Sequence, residues 1–422
     1  MTAHIICVTS GGGLPIFTRS KGCTENLSFS IIGSLNGVHM FSKSHLINLI
    51  STETQDHCVV WKEFHDSVVL IGIASGCTVD VFEKLLDSMF NAMVLVVGFD
   101  EIKQQRNVER LKRELRTCYP IIDRLLDTLD CGDSSNKHSS DLVNLVECIL
   151  CPENQNIQSV LNSFTETIDT MFSCILIHGK IAVATESWWS LCPDELKLLS
   201  FLAVVENTSS SKDIPVFLPY KSPNAAFRFI SVTLIPDVQL CCLCGPTPSL
   251  EEVEQFSTQS FKNLLEVLAA AGQCYPKNFP SSLQFDQGIL GLLLINIPIG
   301  KYMMSRCPHQ SIGKRASSGS HRLDILRSFY YQAVMDVLNN DKDKIQGNQE
   351  NECGYIKKED SLRNISMGNE TYWCSEYHKC HAARIDNNIL CVLYNSAIPT
   401  HAIRLLTQKT LKTFVCDKQI CW

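Results

Sequence analysis

Phe29–Phe41 reads FSIIGSLNGVHMF. Ile31, Leu35, Val38 and Phe41 recur at steps of four, three and three, one face of a 3.6-residue helix, so the spacing predicts an amphipathic helix. Gly33, Ser34 and Gly37 lie inside it. Each interior glycine costs about 1 kcal/mol relative to alanine, so two of them call for a compensating contact. Their four-residue spacing puts both on one face, where another backbone can approach closely. Two readings stand at this point: an ordinary amphipathic helix with a kink, or a docking face for a sheet or a partner chain.

Outward from that stretch, short apolar runs alternate with longer helical periods. Upstream, Ile5–Thr9 and Pro15–Thr18 flank Gly11-Gly12-Gly13 and predict a hairpin. Downstream, Ile47–Ile50, Cys58–Phe64 and Ser67–Ala74 predict three strands, the last two linked at His65-Asp66. Val79–Val97 predicts a long helix, with Val81, Leu85, Met89 and Met93 at four-residue steps. A second helical stretch is expected from Asn107 to Leu129, kinked or divided near Cys118 by Pro120. Asp130–Asp141 (DCGDSSNKHSSD) is polar and turn-rich, and reads as a linker.

The same order returns twice. Cys174–His178 and Ile181–Thr185 flank Gly179-Lys180, and Asp194–Val205 reads as an amphipathic helix. Pro215–Leu218, Phe227–Leu234 and Val238–Cys244 read as strands, followed by a helix at Leu250–Ala271 with Ser249 as its cap. Cys274–Ser282 is a second linker. The third copy has strands at Leu290–Ile297 and Lys301–Ser305 and a helix at His321–Leu338. After it come strands at Thr371–Tyr377, His381–Asp386 and Ile389–Tyr394 and a last helix at Ala402–Val415. The polar tract 339–369 reads as a disordered insertion. Runs such as VVLIGIA lack alternation, the mark of strands covered on both faces. Five antiparallel strands flanked by helices is the economical packing for each unit. The expected fold is therefore α/β in the broad sense, α+β by sheet type, in three units spanning 1–133, 140–274 and 283–422.

Composition narrows the function. At 45% hydrophobic and 19% charged, the 422-residue chain is globular in type. A formal net charge of −7 disfavours nucleic acid as a bulk partner. No run reaches the ~18 apolar residues that cross a bilayer, and the opening residues lack a basic secretory n-region. A soluble, intracellular protein is the expectation. Its 21 cysteines, many inside apolar runs (Cys174, Cys241, Cys242, Cys391), then read as reduced, buried small hydrophobes.

No chemistry-bearing motif is complete. Gly11–Gly13 is not followed by a Lys-Ser/Thr pair, so it reads as a hairpin turn and not a phosphate cradle. Cys148 and Cys151 form half a zinc-knuckle spacing within an apolar run and read as a structural pair. Cys374, His378, Cys380 and His381 are the densest metal-type cluster, but along a strand their side chains alternate between faces. No metal, cofactor or catalytic residue is expected, and His65-Asp66 has no nucleophile beside it. Of the tandem Trp188 and Trp189, one is expected in the core and the other as a partner anchor. Lys103, Arg106, Arg110, Lys112, Arg113 and Arg116 face only Glu109 and Glu114 locally. They read either as a solvated face with i,i+4 pairs or as a patch for anionic lipid or an acidic partner.

The repeated element order, together with FSIIGSLNGVHMF, VVWKEFHDSV (Val59–Val68), RNVERLK (Arg106–Lys112), ATESWW (Ala184–Trp189) and LCGPTPSL (Leu243–Leu250), resembles the tri-longin family of planar-cell-polarity effectors. The resemblance implies three consecutive longin (profilin-like) domains. It further implies a non-enzymatic subunit that pairs with a second tri-longin protein, Inturned, and is joined by a WD-repeat propeller subunit. Such an assembly serves as guanine-nucleotide exchange factor for a ciliary Rab-family GTPase. It supports intraflagellar transport recruitment at the basal body and engages phosphoinositide membranes, from a cytoplasmic, cytoskeleton-associated position at the ciliary base. The alternative is a pure scaffold for ciliary trafficking without exchange activity. The expected partner-facing residues are Gly33, Ser34, Asn36, Gly37, His39 and Met40, with the two glycines approached by their own sheet or by the partner's matching domain. Arg106, Arg110, Lys112, Arg113 and Arg116 are the expected membrane or acidic-partner patch.

Overall fold

The computed structural model of the chain describes residues 2–22, 27–105, 107–129, 142–205, 210–306, 308–309, 320–331, 369–416 and 422. The expected linker Asp130–Asp141 and all but the last residue of the tract 339–369 lie outside them.

The first unit opens with β1 (Ala3–Thr9) and β2 (Pro15–Lys21), joined through the three-glycine turn. Helix α1 (Phe29–Ser44) follows, then β3 (Ser51–Glu53), β4 (His57–Phe64) and β5 (Val68–Ser75). The strands form one antiparallel sheet in the order β2-β1-β5-β4-β3. His65 and Asp66 both adopt positive φ (52° and 54°), the geometry of a tight two-residue hairpin turn, and so close β4 onto β5. One strand expectation is corrected: Ile47–Ile50 is not a strand, and β3 starts at Ser51. Ile47 and Ile50 are exposed, and Leu49 alone of that apolar run packs against the core beneath α1.

Helix α2 (Val79–Val97) covers the other sheet face and buries Val81, Leu85, Met89 and Met93. Gly72 on β5 makes room for it, because a Cβ there would collide with the Phe82 ring. A short α3 (Phe99–Gln104) was not legible in the sequence. The next stretch divides as Pro120 requires, into α4 (Val108–Glu114), a 3-10 turn at Leu115–Cys118, and α5 (Tyr119–Asp127).

The second unit repeats the plan. A two-residue strand β6 (Val146–Glu147) and helix α6 (Asn154–Thr167), neither expected, precede β7 (Phe172–Ile177) and β8 (Lys180–Ala184). Helices α7 (Glu186–Trp189) and α8 (Pro193–Val204) lead to β9 (Ser211–Leu218), β10 (Ser222–Ile235) and β11 (Val238–Cys244). The sheet order is β8-β7-β11-β10-β9, strand for strand that of the first. Ser249 caps α9 (Leu250–Phe261) in a reciprocal box with Glu252, and α10 (Leu265–Gly272) continues it. Helix α8 departs from the expected amphipathic pattern. It buries Asp194, Glu195 and Lys197 along with its leucines, because α2, α5 and β6 pack around it.

In the third unit β12 (Ile289–Asn296), β13 (Lys301–Ser305), α11 (Ser320–Phe329), β14 (Glu370–Cys374), β15 (His378–Ile385), β16 (Asn388–Asn395) and α12 (Thr400–Cys416) give the same topology again. This sheet gains a sixth strand, β6, parallel to β13. The same strap reaches the second sheet, where Cys148 bridges in parallel to Ile181 of β8. One short segment thus joins the edges of two sheets, and Cys148 and Cys151 are buried within that junction. Core residues of the first and second units form one continuous apolar cluster, with α2 packed against both β5 and β9. Among the described residues no helix is long and apolar enough to cross a membrane.

Candidate protein interface on the first domain

Ser28 starts α1 by accepting a hydrogen bond from the Ile31 amide. The helix lies on the face of the first sheet opposite α2, over a small core of Ile6, Val8, Trp61, Val69 and Ile71. It meets that core through Ile32 and Leu35 and buries His39 beside them, and the Trp61 indole N–H donates to the Leu35 carbonyl at 3.1 Å. The predicted stripe Ile31-Leu35-Val38-Phe41 is therefore corrected. Ile31 and Val38 are about half exposed and Phe41 is 67% exposed. Of the expected stripe Leu35 alone meets the sheet, beside Ile32 and His39, and the rest faces outward.

The outward face is the unusual one. Phe29 (76% exposed) and Phe41 stand twelve residues apart, about 18 Å along the helix axis. Between them Gly33 and Gly37 form a trough: among the described residues, a Cβ on either would find no atom within 4 Å beyond the helix's own backbone. The chain's own sheet therefore does not explain these glycines. Leu46, Ile47 and Ile50 extend the exposed apolar surface to the free edge of β3. Contiguous apolar surface of this kind marks an interaction site.

Of the expected partner-facing residues, Gly33, Ser34, Gly37 and Met40 are exposed, whereas Asn36 is half-buried and His39 is buried. Asn36 sits on the β1–β2 turn, where a Cβ at Gly13 would overlap its side chain. His39 faces inward because a polar cluster lies below it. Glu63 on β4 accepts from Lys43 at 2.6 Å and from Ser10, and its second oxygen is 3.7 Å from His39 Nε2. Burial opposes the Glu63 charge, but the Lys43 and Ser10 hydrogen bonds outweigh it and hold the carboxyl below its ordinary range. Burial also lowers the His39 pKa, against the pull of Glu63. Sequence reasoning missed Lys43, Glu63 and Ser10; the one available signal was charge inside the strand run VVWKEF.

The basic stretch divides. Arg106 lies outside the described residues. Arg110 pairs with Glu114 and Lys112 with Glu109, both at 2.8 Å, while Arg113 and Arg116 point to solvent. Trp188 is in the core, and Trp189 is covered within the chain by the Lys301 ammonium, 5.0 Å above its ring. In the 374–381 hairpin Cys380 and His381 are buried and Cys374 is exposed. Among the described residues no three metal-type side chains converge.

Three family patterns cover most of the chain. The first longin domain of FUZ, MON1 and HPS1 matches residues 3–125, the second matches 168–262 and the third matches 288–418. The fuzzy homolog protein of Xenopus tropicalis is 35% identical over 99% of this chain and 98% of its own length. That of Mus musculus is 33% identical over 97% and 96%. The chain belongs to the Fuzzy family. A third Fuzzy relative, from Homo sapiens, is 38% identical over 78% of each chain. The three sheets with one shared topology are accordingly the three longin domains of a Fuzzy protein.

Proposed function

We propose that this chain is a non-enzymatic planar-polarity and ciliogenesis effector subunit that pairs, through α1 of its first longin domain, with a second tri-longin protein of the Inturned type. The pair, joined by a WD-repeat propeller subunit, acts as exchange factor for a Rab-family GTPase at the ciliary base and supports recruitment of intraflagellar transport particles there. The supporting observation is the exposed Phe29–Gly33–Gly37–Phe41 face, whose trough has no filler among the described residues. Exchange by such a pair requires no acid, base or nucleophile. The joint surface needs only to bind nucleotide-free GTPase more tightly than the nucleotide-bound form, which weakens nucleotide affinity by that difference.

The test is release of a fluorescent guanine nucleotide from candidate Rab proteins, measured with the chain alone, with the tri-longin partner, and with a Phe29→Ser/Phe41→Ser variant. Acceleration by the wild-type pair and its loss in the variant are expected. A pair that forms but leaves release unchanged supports a scaffold without exchange activity and overturns the exchange reading.

A further inference from the structure

The second and third domains meet along the β6 strap, and two tryptophans and a lysine gather at that joint. Val146 and Cys148 of the strap donate to the Gly300 and Tyr302 carbonyls at 2.9 and 2.7 Å, and Ile149 donates to the Ile181 carbonyl of β8 at 3.0 Å. Beside these bonds stands Lys301, the first residue of β13, which is only 8% exposed. Its ammonium lies over the Trp189 ring of α7, 5.0 Å from the centroid, and over the Trp422 ring, 4.5 Å from the centroid. A cavity of about 50 Å³ is lined by these three side chains together with Cys148, Ile149 and Leu150 of the strap.

Trp422 reaches both sides of the joint. It packs against the core shared by the first two domains and against the core of the third. Its ring face covers an ammonium stripped of most of its water, the setting in which a cation–π contact is strongest. Its ring edge is fixed by chemistry that a phenyl ring lacks: the indole N–H donates to Asn388 Oδ1 at 2.9 Å. That oxygen is held in place from the neighbouring strand. Asn296, paired directly with Asn388 across β12 and β16, donates to it at 2.8 Å and itself accepts from the Ile299 amide. A nearly buried cation for the ring face and a fixed acceptor for the ring N–H together specify an indole.

We infer that this joint is an indole-binding seat, filled within the chain by Trp422, and that filling it fastens the third longin domain to the second. With the seat empty, Lys301 loses one of its two ring faces and the strap loses a wall against water. The seat belongs to the second and third domains, so it is separate from the α1 surface and stands or falls independently of the exchange reading.

Hydrogen exchange of the full chain tests the seat. Trp422→Ala should accelerate the Val146, Cys148 and Ile149 amides about tenfold or more, the loss expected for a desolvated cation–π contact, and leave the β5 amides of the first domain unchanged. Added indole should restore the lost protection, and N-methylindole, which has the ring but no N–H, should restore less of it. Lys301→Met in the Trp422→Ala background keeps the apolar stem without the charge and should weaken the effect of indole about tenfold. Should the alanine variant fail to fold, Trp422→Phe keeps a ring over Lys301 and gives up the N–H. Its strap amides should then exchange at rates between those of wild type and an open joint, and wild-type protection in that variant would overturn the indole reading. Unchanged protection in Trp422→Ala, acceleration spread evenly over all three domains, or protection that indole does not restore overturns the inference.

Discussion

Lys43, in the last turn of α1, reaches down to Glu63 on β4 and pairs with it at 2.6 Å. This contact pins the C-terminal half of a helix whose outer face is left exposed among the described residues. The N-terminal half is held by Ile32 and Leu35, with the Trp61 indole donating to the Leu35 carbonyl and Asn36 against the β1–β2 turn. Lys43→Ala should therefore loosen α1 more than it destabilises the protein. Lys43 is 45% exposed, so the global cost should be below about 1 kcal/mol, as for other exposed ion pairs. Hydrogen exchange of the 36–44 amides should nevertheless accelerate clearly. Unchanged exchange there would show that Lys43 has no part in anchoring the helix.

His39 gives the same region a pH dependence. Burial lowers its folded pKa below the ordinary 6.5, with Lys43 acting in the same direction and Glu63 opposing. The unfolded chain then binds the proton more readily, so stability falls as pH drops through 6.5 toward the lower folded value. Thermal melts of wild type and His39→Gln between pH 7.5 and 5 are expected to diverge only below about 6.5. Parallel curves over that range would remove His39 from the acid response.

Gly37→Leu separates a trough used by a partner from a glycine left over by chance. Among the described residues no atom beyond the helix's own backbone lies within 4 Å of the new Cβ, and leucine is the better helix former by about 0.8 kcal/mol. The isolated chain should fold at least as well as wild type, yet pairing with the tri-longin partner should weaken by at least tenfold in a pull-down or titration. Full-strength pairing by a folded Gly37→Leu chain would move the interface off this face.

The arginines of α4 and the following turn are not equivalent. Arg110 and Lys112 each have a carboxylate at 2.8 Å, whereas Arg113 and Arg116 extend into solvent. Attraction to an anionic surface is worth about 1 kcal/mol for each such charge. Arg113→Glu with Arg116→Glu should thus reduce sedimentation with phosphoinositide vesicles at low salt more than Arg110→Glu does. Equal losses would mean that the patch acts as a diffuse charge, and no loss would remove it as a membrane contact.

What was legible in the sequence follows from how local each signal is. Hairpins set by His65-Asp66 and the Gly11–Gly13 turn, the α2 period and the Pro120 break all depend on neighbours in sequence, and each is where its pattern places it. The face of α1 was misjudged because Ile31, Val38 and Phe41 keep a helical period as good as that of Ile32 and Leu35. Periodicity reports that a face is apolar and cannot report which surface meets it. The β6 strap was invisible for a related reason: two residues carry no pattern, and Val146–Glu147 becomes a strand only because the edge of β13 is there.

Asp194 tests how firmly the first two domains are joined. Its carboxylate, buried in α8, accepts from Ser88 at 2.5 Å and from Asn91 at 2.8 Å, both on α2 of the first domain. Desolvation raises its pKa, the two hydrogen bonds oppose that rise, and Lys197 supplies the nearby positive charge. Removing one member of a buried charged set leaves the other uncompensated, at a cost of about 3–5 kcal/mol. Asp194→Ala should lower the urea midpoint by the corresponding amount. Because the two domains share one apolar core, it should do so without splitting the transition. Asp194→Asn keeps one acceptor, for Ser88, but sets its own amide N–H against the Asn91 donor, so the gap between the two variants measures the Ser88 hydrogen bond and the remainder combines the lost Asn91 hydrogen bond with the pairing to Lys197. If Asp194→Ala unfolds the first domain ahead of the second, the shared core is held by this carboxylate; if the midpoint does not move, apolar contact between α2 and β9 is sufficient on its own.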